Sequence, residues 1–314
     1  MRAFLVPLDG SALAESALHT AIALARRSPG ARLEALVVLA PPPAVVQVSG
    51  APVTDRRFDH DLYAEMERYA AAMRQQLLTL APELAPSLTL LYGDAAERIA
   101  HFAREGEFDL IVMTTHGRTG VSRAWLGSVA DGVLRLSSVP VLLLREETAG
   151  ATRPALSPGA TVVVPLDEGN VSEEILSDVL GLAGTDALIH LVHVVVPARW
   201  LPPPSALEVV AAGETAAVVD QGELTQEQRH AAMQRLDRVA GQLRARGVEA
   251  TVEVVVHARA AEAILACAER ARASLIAMTT HARKGAGRLL LGSVADKVVR
   301  AAPVPVLVRM PTHR

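Results

Sequence analysis

The chain has 314 residues and a net charge of −3, with half of its residues hydrophobic and only 3% aromatic. At about 150 residues per domain, that length points to two domains. A near-neutral charge with no strongly basic stretch, and few rings on which bases could stack, argue against a nucleic-acid partner.

The first predicted element is the apolar run Phe4–Leu8, a short strand that ends in Asp9-Gly10-Ser11, a turn and helix-start signal. The opening patch is too short for a signal-peptide core, and Pro7 and Asp9 interrupt it. No apolar run reaches the roughly 18 residues a membrane span needs, so a soluble, cytoplasmic protein is expected. ALAESALHTAIALARR carries apolar positions at helical spacing. A second strand, LEALVVLA, and a long helix, LYAEMERYAAAMRQQLLTLA, follow. SLTLLY, AERIAHFARE and DLIVMTT continue the alternation, then LGSVADGVLRL as a last helix and PVLLLR as a last strand. Continuous apolar strands are buried on both faces, and a β-α-β-α order predicts a mainly parallel sheet with right-handed crossovers. Two Pro-rich insertions, 41–57 and 196–222, break the rhythm; lids over a site and plain surface loops both fit them.

The sequence is written twice. MTTHGRTGVSRAWLGSVADGVLR starts at Met113 and returns as MTTHARKGAGRLLLGSVADKVVR at Met278, with fifteen of twenty-three positions identical. Val-Pro-Leu-Asp occurs at Val6–Asp9 and at Val164–Asp167, GDAAERI matches ARAAEAI, and Val-Pro-Val-Leu occurs at Val139 and Val304. Four landmarks in the same order make this a duplication. The seam reads as a linker over 148–159, between domains at 1–147 and 160–314. The single cysteine, Cys267, sits in a helical run, where a small buried thiol is expected, and excludes a disulfide framework.

In an open parallel sheet, ligands bind beyond the carboxyl ends of the strands. In the first half those ends are Pro7–Ser11, Val38 and Thr114–Gly117. A loop then closes in Gly127-Ser128, where a helix begins. Ser128 with Asp131, and Ser293 with Asp296, fit a capping box, which predicts serine as N-cap. Free N–H groups and the positive end of a helix would then face the site, a setting that suits phosphate. Gly117, Gly120 and Gly127 would admit phosphate closely, and Arg118 or Arg123 would add charge. The bland alternative is a cap and nothing more, with Asp131 opposing an anion. GxxxxGK[ST] and a strand-linked GxGxxG are both absent, as is a Ser-Gly-Gly loop after the first strand.

These residues together resemble the universal stress protein family, and the likeness covers both halves nearly end to end. It is carried by Val6–Ser11, Gly93-Asp-Ala-Ala, Asp109–Arg118, Leu126–Asp131 and Val139–Leu142. The resemblance implies two Rossmann-like (adenine nucleotide alpha hydrolase-like) α/β domains. Each would be a five-stranded mainly parallel sheet with helices on both faces, packed as a pseudo-twofold pair. One branch of the family binds ATP through Gly, two residues, Gly, nine residues, Gly-Ser/Thr. Here the second glycine is Gly117 and Gly127-Ser128 closes the motif, but Thr114 replaces the first glycine. In the second half Gly292-Ser293 stands, with Thr279 first and Ala282 second, so weaker binding is expected there.

The implied nucleotide site holds Pro7, Asp9, Gly10, Ser11, Val38, Thr114, His116, Gly117, Arg118, Gly120, Gly127, Ser128 and Val129 in the first half. In the second it holds Pro165, Asp167, Val194, Thr279, His281, Arg283, Gly292, Ser293 and Val294. Asp9 and Asp167 would meet ribose or a metal-bound phosphate, and backbone near Val38 and Val194 would read adenine. His116, His281, His193 and His257 find no partner that makes a metal pair or a catalytic set, and no general base for hydrolysis stands out. The expected ligand is ATP (or AMP/ADP), alone or with Mg, in a stress response; the alternatives are a nucleotide-free scaffold and a slow ATPase. The last strands of the two halves would pair within the chain, with a further homodimer left open.

Overall fold

A computed structural model describes residues 1–39, 56–115, 126–145, 159–197, 221–280 and 292–311. Each half alternates strand and helix. The first runs β1 (Ala3–Leu8), α1 (Ala12–Arg26), β2 (Arg32–Leu39), α2 (Arg56–Leu80), β3 (Ser87–Tyr92), α3 (Ala95–Glu105), β4 (Leu110–Thr114), α4 (Ser128–Leu136) and β5 (Val141–Leu144). The second runs β6 (Thr161–Pro165), α5 (Ile175–Ala183), β7 (Leu188–Val195), α6 (Gln221–Arg244), β8 (Glu249–Val256), α7 (Ala260–Arg270), β9 (Leu275–Thr279), α8 (Ser293–Ala301) and β10 (Val306–Arg309).

The helices form where the sequence supplies one apolar stripe and a cap. Met66, Ala70, Met73 and Leu77 recur at helical spacing on α2 and are all buried. Ala232, Leu236, Val239 and Leu243 do the same on α6. Ser11 caps α1 by accepting from the Ala14 N–H at 3.1 Å, and Asp94 caps α3 by accepting from Glu97 at 3.0 Å. The strands β1, β4, β5 and β9 are buried along almost their whole length, as continuous Val/Leu/Ile runs demand.

All ten strands make one sheet, ordered β3-β2-β1-β4-β5-β10-β9-β6-β7-β8. Pairing is parallel within each half, and β5 meets β10 antiparallel with Leu142 opposite Leu307. The last strands thus pair within the chain, and neither is left as an open edge. One face of the sheet packs on α1, α2, α5 and α6, the other on α3, α4, α7 and α8. Further bonds cross the junction. The Met1 amine donates to the Gly181 carbonyl at 3.1 Å. Arg145 Nη1 donates to the Arg300 and Ala302 carbonyls at 3.0 and 3.2 Å, at the end of α8.

Two details depart from expectation. The capping boxes do not form: Gly127 and Gly292 are the N-caps, with φ near −57°, and no side chain caps either helix. Serine therefore falls at the first helical position, and its hydroxyl caps neither helix. Asp131 instead pairs with Arg135, and Asp296 with Arg300, one helical turn on. The other difference is in the second half, where Asn170–Glu174 forms a 3₁₀ turn before α5. Gly10 has φ +81°, whereas Glu168 at the matching place does not take a left-handed backbone, so the chain enters its helix by another route. The insertions at 41–57 and 196–222 lie largely outside the described residues.

Candidate functional site

Each half opens a cleft at the carboxyl ends of its strands. The first, about 250 Å³, is lined by Pro7, Asp9, Val38, Thr114, Gly127, Ser128 and Val129. Sequence reasoning did not single out Leu36, Ile99 and Met113, which add apolar lining, while Thr115, at the strand end it named, lines the cleft as well. The second, about 570 Å³, is lined by Pro165, Asp167, Val194, Thr279, Gly292, Ser293 and Val294, together with Glu168, Ser172, His193 and Gln228. His116, Gly117, Arg118, Gly120, Arg123, His281, Ala282 and Arg283 lie outside the described residues.

At the mouth of each cleft a helix begins without a side-chain cap. Gly127 N–H donates to the Thr115 carbonyl at 2.6 Å, and Asp131 N–H reaches back to Gly127 at 2.9 Å. Between them, the N–H groups of Ser128, Val129 and Ala130 have no acceptor among the described residues. The second half repeats this: Gly292 N–H donates to Thr280 Oγ1 at 3.1 Å, and Asp296 N–H to the Gly292 carbonyl. Three orphan donors and the positive end of a helix make an anion cradle. Gly127 has ordinary dihedrals, φ −58° and ψ 146°, so its missing side chain serves space rather than backbone strain.

The opposite wall carries the acids. Ser11 donates its N–H and its hydroxyl to Asp9 Oδ1 at 3.0 and 2.6 Å, which fixes the carboxylate at the end of β1. Gly10 and Ser11 thus shape this wall without lining the cleft. In the second half Gly169 N–H donates to Asp167 Oδ1 at 3.0 Å, and the serine hydroxyl has no counterpart.

A helix braces each loop from behind. Tyr69 on α2 donates to Glu15 at 3.0 Å; in the second half Arg235 on α6 holds Glu173 at 3.2 Å and the Gly169 carbonyl at 2.6 Å. Glu15 and Glu173 stand at the same place in the two repeats, so a phenol and a guanidinium do the same bracing. Both were invisible in sequence, because the helix register is known only once the fold is. Burial, helped by Glu15 and Asp9, pushes the Tyr69 phenol well above its ordinary 10. A folded value above the unfolded one means this group stabilises fully below pH 10, and the benefit is lost as pH climbs beyond it. Wild-type stability should therefore fall with alkaline pH above 10. Tyr69→Phe should show a flatter profile and cost about 1 kcal/mol at neutral pH, read from urea unfolding across that range.

Of the histidines, His193 is buried with its Nδ1 2.7 Å from the Leu166 carbonyl. His257 Nδ1 sits 2.9 Å from the Arg259 carbonyl. Among the described residues no group of three His, Cys, Asp or Glu side chains could hold a metal ion. Cys267 is buried, its thiol pushed up by burial, and Arg270 lies 3.1 Å from its sulfur.

The universal stress protein family model matches the chain twice, over residues 1–145 and 160–309. The chain belongs to the universal stress protein family. Universal stress protein Rv1996 of Mycobacterium tuberculosis is 28% identical over 327 residues, covering 96% of this chain and 93% of its own length. A second, Rv2005c, is 30% identical over 204 residues; that match spans 64% of this chain and 62% of the relative's length. A universal stress protein structure from Archaeoglobus fulgidus superposes with a TM-score of 0.64 at 20% identity, covering 98% of both chains, and so shares the fold. No described helix of this universal stress protein is long and apolar enough to cross a membrane.

Proposed function

We propose that this universal stress protein binds an adenine nucleotide (ATP, or AMP or ADP) and works in a stress response as a nucleotide-dependent regulatory protein in the cytoplasm. The observation that carries the reading is the start of α4, which has no side-chain cap: three N–H donors without an acceptor among the described residues open into a cleft with Asp9 on its other wall. Phosphates would meet the Ser128–Ala130 N–H groups, and ribose hydroxyls would meet Asp9. Val38 and Leu36 would flank the base. A magnesium ion would arrive with the phosphates, since Mg²⁺ keeps several waters and needs only one or two carboxylates. Occupancy rather than turnover would be the signal in this reading.

Two observations favour a nucleotide-free scaffold instead. Thr114 stands where a glycine would open the strand end, and about 250 Å³ falls below the usual span of roughly 300–1,000 Å³ for ligand pockets. A single experiment separates the two. The purified protein is denatured, and any released nucleotide is identified by mass spectrometry. Intact protein is then heated with and without millimolar ATP. Wild type should release adenine nucleotide and melt several degrees higher with ATP. Gly127→Val, whose dihedrals valine can adopt, should keep its fold and lose the first site, and Gly127→Val with Gly292→Val should lose both. A wild type that carries nothing and shows no shift sinks the nucleotide reading.

A further inference from the structure

The two clefts are built from equivalent elements, yet one corner of the second is rewritten. Strand register identifies the changes. Pro7 stands opposite Leu36 and Leu8 opposite Val37; Pro165 stands opposite Val192, so His193 occupies the place of Val37. By the offset of β1 and β6, Glu168 takes the place of Gly10 and Ser172 that of Ala14. Hydrocarbon and glycine in one repeat have become an imidazole, a carboxylate and a hydroxyl in the other, all lining the larger cleft.

His193 is the informative residue. Only 9% of it is exposed, and it lines the cleft. Its Nδ1 lies 2.7 Å from a carbonyl oxygen, which only accepts, so Nδ1 carries a proton; in that tautomer of the uncharged ring Nε2 is the acceptor. Nε2 has no partner among the described residues, and it is not among the buried side-chain atoms sealed away from solvent. A ring this buried, open on the side of a cleft, is a built acceptor for a ligand donor. Glu168 also lacks a described partner, and with Asp167 it puts two carboxylates on the wall facing the start of α8. Those charges offset the helix's attraction for an anion, whereas among the described residues lining the first cleft Asp9 is the one carboxylate. Arg235 does not compensate, because it is engaged behind the loop with Glu173 and Gly169.

We infer that the second cleft takes an uncharged nucleoside-type ligand, whose amino group donates to His193 Nε2, in preference to the polyphosphate that suits the first. The inference rests on the adenine-nucleotide reading of the clefts. A site built around a buried acceptor rejects an analogue that lacks the donor more strongly than an apolar site does. At about 570 Å³ the cleft has room for a purine nucleoside.

The test uses the full chain, titrated calorimetrically with adenosine, with purine riboside (which lacks the amino group) and with ATP. Wild type should bind one adenosine tightly per chain and prefer it about tenfold over purine riboside. That preference should vanish in His193→Val, a side chain the first half already accommodates at this position. His193→Gln, which can set an amide oxygen near the Nε2 position, should restore part of it, and His193→Asn should not. On adding adenosine, the Nε2 resonance of ¹⁵N-labelled His193 should shift, a change that a merely structural histidine would not report. Glu168→Gly should tighten ATP at this cleft about threefold, less so at high salt. Equal binding of adenosine and purine riboside, or an unmoved Nε2 resonance at saturation, overturns the inference while leaving ATP binding at the first cleft intact. Conversely, loss of ATP binding with the adenosine response of His193 preserved breaks the nucleotide reading alone.

Discussion

Leu142→Asp is expected to remove at least about 4 kcal/mol of stability, enough to unfold many domains outright. Leu142 is fully buried on β5 and faces Leu307 across the strand pair that joins the halves. A carboxylate there replaces an apolar contact in the core, so it must be buried at a cost or the strands must separate. Leu142→Met should cost less than about 1.5 kcal/mol, because it keeps volume and apolarity. Urea unfolding followed by circular dichroism measures both. An aspartate variant with the wild-type midpoint would mean that the junction contributes little to stability.

The second large effect concerns a buried ion pair present in only one half. Arg309 Nη1 bonds both oxygens of Asp178 at 2.7 and 2.6 Å, with Glu174 3.8 Å away. At the corresponding places the first half has Leu144 and Thr20. Burial pushes the Asp178 carboxyl above its ordinary range even with the guanidinium beside it. Stability from this group is therefore greatest below the ordinary 3.8 and declines as pH rises through the range just above. Taking away one partner should be worse than taking both. Asp178→Ala leaves the part-buried guanidinium with only the longer Glu174 contact and should cost about 3 kcal/mol, whereas Asp178→Ala with Arg309→Met should recover most of it. Thermal or urea unfolding of the three proteins decides the matter. If the double variant is as unstable as the single one, the pair contributes more than its desolvation cost.

Most of the frame was legible because duplication and buried parallel strands both write strong patterns. Val6–Asp9 and Val164–Asp167 located the matching strand ends, and the Pro-Val-Leu runs located the two joining strands. The error at Ser128 and Ser293 has a plain cause. Ser-Val-Ala-Asp fits a capping box in letters, but the glycine before it already has the extended backbone of an N-cap, which moves serine one place into the helix. That shift leaves the helix start uncapped and gives it more to offer a ligand. The expected weakness of the second site came from Ala282, which is outside the described residues; the second cleft is the larger of the two. Tyr69, Arg235 and the cleft role of His193 were not legible. They matter through long-range register, and a single sequence carries no record of which helix face meets which loop.

One more consequence follows from the antiparallel meeting of β5 and β10. Strands of the first half run against those of the second, so their carboxyl ends, and the clefts built on them, lie at opposite ends of the strands. A short double-headed ligand cannot fill both at once, and linking two ligands brings no gain in effective concentration unless the tether passes around the edge of the protein. Whatever reads the occupancy of both clefts must therefore do so as two separate encounters, on two sides of one molecule.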